Sequence, residues 1–153
     1  MSNEKNISAL NNLIEINNDR VEGYETASKE TESADLKSLF AALSGTSTSI
    51  LSELRSEVSK LGGTPEEGTR VTGKFFRAWM DVKAALTGNN RHEILASCEF
   101  GEDKAQEAYE DALATDAELP TNVRQLITDQ KASLLESHNL IKKYRDMHQA
   151  INS

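Results

Sequence analysis

Five polar residues interrupt the apolar stripes of this 153-residue chain, each near the middle of its own amphipathic stretch: Asn17, Ser47, Glu102, and the pair Gln130 and His138. Their types define what such a layer could do. Glutamate and histidine are ligands for iron or another divalent metal, and a carboxylate whose pKa is raised by burial can act as a general acid or base. Asparagine, serine and glutamine supply hydrogen bonds around them. The same five residues would also suffice for a hydrogen-bonded core that fixes register and performs no chemistry.

Ligand counting separates these readings. A di-iron carboxylate bundle takes a Glu from each of two helices and a Glu-x-x-His from each of the other two. The residue three before His138 is Leu135, and Glu136, two residues away, lies about 200° around a helix. The stretch containing Ser47 has no histidine. A divergent metal-dependent oxidase or ferroxidase-like site would have to be assembled from Glu102, His138 and Gln130, with Glu25 or Glu53 in support. The favoured expectation is instead that no metal or other cofactor is bound. Glu102 would then be a buried carboxylate bonded to Asn17, Thr46, Ser47, Gln130 or His138. Cys98 has no histidine on its own face and reads as a packed thiol, while His92 and His148 read as surface residues near one end of the molecule. No phosphate-binding glycine loop, nucleophile elbow or His-Glu-x-x-His zinc helix occurs.

The elements that must position this layer are helices. Ile7, Leu10, Leu13, Ile14, Val21 and Tyr24 keep three-four spacing over about 4–30, and Leu36, Leu39, Phe40, Leu43, Ile50, Leu54, Val58 and Leu61 do so over about 34–61. Within the second, Gly45-Thr46-Ser47-Thr48-Ser49 costs about 0.5 to 1 kcal/mol per residue relative to alanine. Even so, the apolar phase is retained from Leu43 to Ile50. Ser33 is placed as N-cap and the glycines at 62 and 63 as the stop. Further helices are expected over about 69–87, 91–115 and 120–148. Nothing alternates like a strand.

The connections set the topology. About three residues join the first pair of long helices and about four the last pair, so each is an antiparallel hairpin. Residues 62–90 are long enough to run the whole length of a bundle and carry the short fifth helix. The expected fold is therefore all-α, a ferritin-like four-helix bundle of two hairpins joined by one long crossover, in a single domain over 1–153. Phe75, Phe76 and Trp79 concentrate on the crossover and form the candidate interface for a homo-oligomer, expected to be a dimer.

Composition narrows the partners. A net charge of −8 disfavours nucleic acid and anionic membrane surfaces alike. The single cysteine precludes an intramolecular disulfide, and no run approaches the roughly 20 apolar residues of a membrane span. With no secretory leader in residues 1–10, the expected location is cytoplasmic.

Several runs also resemble a known family. Leu10-Asn11-Asn12-Leu13-Ile14-Glu15, Leu61-Gly62-Gly63-Thr64-Pro65, Trp79-Met80-Asp81-Val82-Lys83-Ala84-Ala85-Leu86-Thr87-Gly88 and Cys98-Glu99-Phe100-Gly101-Glu102-Asp103 are similar to the ferritin-like four-helix-bundle family of domain of unknown function 2383. The resemblance spans about Ile7 to Tyr144, and the Trp79–Gly88 run is its most specific part. It implies a small bacterial ferritin-like bundle without an established reaction, and it carries over no catalytic residue. A non-catalytic structural or interaction module is the function expected.

Overall fold

The computed structural model describes residues 2–66, 84, 91–114 and 119–152. They form four helices: α1 (Ser2–Glu30), α2 (Ala34–Lys60), α3 (Arg91–Ala114) and α4 (Thr121–Asn152). No strand occurs among the described residues. Of the helix expected over about 69–87, only Ala84 is described, and Phe75, Phe76 and Trp79 lie outside the described residues. The last helix runs to Asn152 rather than ending near 148.

The stretch of poor helix formers in α2 stays helical because its groups are accommodated individually. The hydroxyls of Thr46 and Thr48 donate to the carbonyls of Ala42 and Ser44 at 3.1 and 3.0 Å. On the inward face Leu43, Ser44, Ser47, Ile50 and Leu51 are buried. Burying each large aliphatic side chain contributes about 1.5–3 kcal/mol, enough to offset the local propensity cost.

Both ends of α2 depend on specific backbone geometry. Ser33 occupies the N-cap position with extended φ and ψ, but its hydroxyl makes no capping hydrogen bond. Its backbone N–H is instead taken by Thr31 Oγ1 at 3.3 Å. At the other end, Gly62 has φ +84°, and the N–H groups of Gly62 and Gly63 donate to Ser59 O and Val58 O, each at 3.0 Å. That pair of bonds is a Schellman stop. Gly63 then passes so close to α1 that a Cβ would lie 2.8 Å from Ile7 Cγ2. Asn11 fixes the exit of the chain, donating to Thr64 O at 3.1 Å and accepting from Glu66 N–H at 2.9 Å.

Helix directions follow from cross-helix pairs. Arg91 forks onto Asp35 through two bonds of 3.0 and 2.5 Å, which places the start of α3 beside the start of α2. Gln130, early in α4, meets Glu53, late in α2. Thus α2 and α3 run one way, and α1 and α4 the other. Packing is most extensive within the pairs α1–α2 and α3–α4, with α1 touching α3 and α2 touching α4. The apolar core includes Leu10, Leu13, Leu36, Leu54, Leu95, Ile127 and Ile141, and Tyr24 stacks on Phe40 with ring centroids 5.7 Å apart.

Candidate functional site

The buried positions of α1 advance by alternating three and four: Leu10, Leu13, Asn17, Arg20, Tyr24, Ala27. This seam delivers a charged side chain, Arg20, into the centre with 0% exposure. Glu102, from α3, is also 0% exposed. Arg20 Nε and Nη2 donate to Glu102 Oε1 at 2.9 and 2.7 Å, and Tyr24 Oη donates to the same oxygen at 2.5 Å. The guanidinium carbon also stands 5.3 Å from the Tyr24 ring centroid, within cation–π range. Glu102 Oε2 is buried without a hydrogen-bond partner among the described residues.

The remaining polar groups continue from the guanidinium. Arg20 Nη1 donates to Ser47 Oγ, and Ser47 Oγ donates to Asn17 Oδ1 at 2.9 Å. Asn17 Nδ2 donates to Leu13 O at 2.9 Å and Tyr109 Oη at 3.0 Å. Tyr109 Oη donates to Gln130 Oε1 at 2.9 Å, and Gln130 Nε2 reaches Glu53 Oε1 at 3.4 Å. Each hydroxyl uses its one proton once, so the donor order is self-consistent. One chain of bonds therefore crosses all four helices, from the buried Glu102 to the solvent-exposed Glu53.

Electrostatics follow from this enclosure. Burial works against the Arg20 charge, but the adjacent Glu102 carboxylate outweighs it and holds the guanidinium above its ordinary pKa. Burial raises Tyr24 well above the usual phenol range, and the negative Glu102 adds to the effect. Tyr109 is likewise raised, chiefly by burial. The Cys98 thiol, one turn before Glu102, is pushed up by burial and then by the carboxylate. A thiol held protonated in this way is a poor nucleophile.

Asn17, Ser47, Glu102 and Gln130 lie within the network, whereas His138 lies apart from it. On α4 the buried series is Val123, Ile127, Gln130, Leu134, Ser137, Ile141, so Ser137 takes the inward slot and His138 is turned toward α3. Its Nε2 stands 2.7 Å from Asp103 Oδ1 and 3.8 Å from Glu99 Oε1. The expected Glu102–His138 pair is thus replaced by Glu102–Arg20, and Thr46 bonds to its own helix. Glu25 is exposed, Cys98 is buried, and His92 is partly buried at the start of α3.

Arg20 is absent from the expected layer, and Tyr24 and Tyr109, on the apolar faces of their helices, join it through their hydroxyls. The signal for Arg20 was its place in the three-four series between Asn17 and Tyr24, which the neighbouring Val21 had masked. As a metal centre the layer fits poorly. Among the described residues no group of three or more His, Cys, Asp or Glu is disposed around a common ion. Arg20 already occupies Oε1 of Glu102, the one carboxylate with 0% exposure among the described residues, and there it would repel a second cation.

Among the described residues no helix is long and apolar enough to cross a membrane. Comparison with curated proteins gives no match. The family profile described as Domain of unknown function (DUF2383) matches residues 5–115, a span that contains Asn17, Arg20, Tyr24, Ser47, Glu102 and Tyr109 and stops short of α4. With well over half of its length matched, the chain belongs to the DUF2383 family.

Proposed function

We propose that this protein is a ferritin-like bundle serving as a non-catalytic structural or interaction module in the cytoplasm, its central layer filled by an arginine–glutamate pair rather than a di-iron centre. The observation that carries this reading is the fully buried Arg20, which spends all three of its described hydrogen bonds on Glu102 and Ser47. A cation built into the chain neutralises the carboxylate that a metal would otherwise require. The helix directions, with the second and third long helices parallel and each hairpin antiparallel, match the arrangement in which such bundles carry one long crossover.

Metal content tests the reading. Protein purified without chelator or affinity metal, then equilibrated with ferrous iron under nitrogen and dialysed, should retain well under one ion per chain by elemental analysis. Stoichiometric retention, lost on Glu102→Gln, would overturn it. The interaction role rests on two of the four phenylalanines and the only tryptophan falling within Phe75–Trp79. We place self-association there. Light scattering should find a dimer that Trp79→Ala dissociates without loss of helicity, and a monomer at every concentration would remove this part of the reading.

A further inference from the structure

The donors around Glu102 are unevenly shared between its two oxygens. Arg20 Nε, Arg20 Nη2 and Tyr24 Oη all bond to Oε1, whereas Oε2, also enclosed, accepts from no donor among the described residues. A buried carboxylate oxygen without a donor forfeits its hydration and gains nothing in return, and native interiors leave few such atoms unpaired. The neighbours of Oε2 follow from the cross-helix bonds. Arg20 meets both Glu102 and Ser47, which sets α1, α3 and α2 at one height. On α4 that height is marked by His138, whose ring lies beside Asp103, the residue after Glu102. Ser137, one residue before His138, therefore brings the inward hydroxyl of α4 to the same layer. It is 6% exposed, and its described bond is a long one of 3.4 Å to Ser133 O of its own helix. Its side chain is also short where Leu134 and Ile141, one turn to either side, are long and fully buried.

We propose that a single water molecule binds here as a permanent part of the core, donating to Glu102 Oε2 and accepting from Ser137 Oγ. Charge selects the ligand class. Arg20 repels a second cation, Glu102 repels an anion, and an apolar molecule has no proton to give, so the occupant is a small neutral donor. The enclosing leucine and isoleucine side chains limit it to about the size of water. Glu102 Oε2 and Ser137 Oγ supply the two polar partners that a buried water requires. The buried Cys98 thiol, one turn before Glu102 on the same face of α3, is a third neighbour and a weak donor. Through this water the arginine–glutamate pair gains a link to α4 at its own height, one heptad from the link at Gln130. The proposal rests on the metal-free reading of the layer, and its test separates the two.

A crystal structure of the full chain that shows ordered solvent, with data also collected for anomalous scattering from transition metals, is the test. Expected is one peak about 2.6–3.2 Å from both Glu102 Oε2 and Ser137 Oγ, without anomalous signal. An anomalous peak at about 2.0–2.2 Å from Oε2 would overturn the metal-free reading together with the water. A protein donor bonded directly to Oε2, Ser137 Oγ included, or no peak within reach of it, would overturn the water alone. In solution, magnetic relaxation dispersion of the water signal counts molecules held in the interior. Ser137→Val, which puts a branched apolar side chain into the space and removes the hydroxyl, should hold one fewer long-lived water than wild type. Equal counts in the two proteins would overturn the site.

Discussion

Replacing Arg20 with methionine removes the cation and leaves Glu102 buried with Tyr24 as its remaining donor, and the cost can be sized from the geometry. Both side chains of the pair are fully enclosed, so solvent screening offers no discount. Breaking such a pair by removing one partner costs about 3–5 kcal/mol, since the surviving charge is stranded in a poorly solvating interior. Against a total of about 5–15 kcal/mol for an ordinary domain, this is a large fraction. The midpoint of thermal unfolding should fall by roughly 6–20 °C, using about 2–4 °C per kcal/mol at this chain length. Glu102→Gln should also destabilise, because an amide oxygen is a weaker acceptor for the three donors that converge on Oε1. The double variant Arg20→Met/Glu102→Leu, which removes both charges, should recover much of the loss; apolar replacement of a whole buried pair is often neutral or stabilising. Urea unfolding followed by circular dichroism, with the slope m held constant, measures all three. If Arg20→Met shifts stability by less than about 1 kcal/mol, the pair is solvated or unformed and the account of the core is wrong.

Three further outcomes follow from the same structure. Tyr24 and Tyr109 hold their protons more tightly when folded than the ordinary phenol value of 10.0, so their contribution is complete below that pH and is lost as pH rises beyond it. In a Tyr144→Phe background, phenolate absorbance should therefore appear together with loss of helicity, and phenolate formed in a fully helical protein would contradict this. Cys98 should react with a thiol reagent only at the rate of global opening and faster in Arg20→Met, whereas immediate labelling of the native protein would show the site to be open. Gly62→Ala should cost about 1 kcal/mol for a side chain at positive φ, while Gly45→Ala, where a Cβ meets nothing within 4 Å, should stabilise α2 by a similar amount. Equal effects at the two glycines, measured by urea midpoints, would contradict the Schellman assignment.

Much of the fold was legible because the helices are long and the seams regular. Three-four spacing and the turn residues around Ser33, Gly62 and Pro120 place the described helix boundaries near where they occur. The site was harder for a physical reason. Periodicity assigns a position to the interior, but a charged residue is ordinarily assigned outward, and Arg20 is enclosed only because Glu102 meets it from a helix 82 positions away. That complementarity exists between seams, not within one. The opposite error occurred at His138: four residues from Leu134 is compatible with the same face, but Ser137 matches the strict series better, and a one-residue choice turns the ring from the core to the α3 flank.

Both ends of the segment between α2 and α3 are fastened to the first hairpin, at Asn11 of α1 where it departs and at Asp35 of α2 where it lands. The two anchors lie at opposite ends of α2, whose 27 residues span about 40 Å at a rise of about 1.5 Å each. A chain of fewer than about 12 residues, at about 3.3–3.6 Å each, could not bridge that distance and would have to break one anchor or the other.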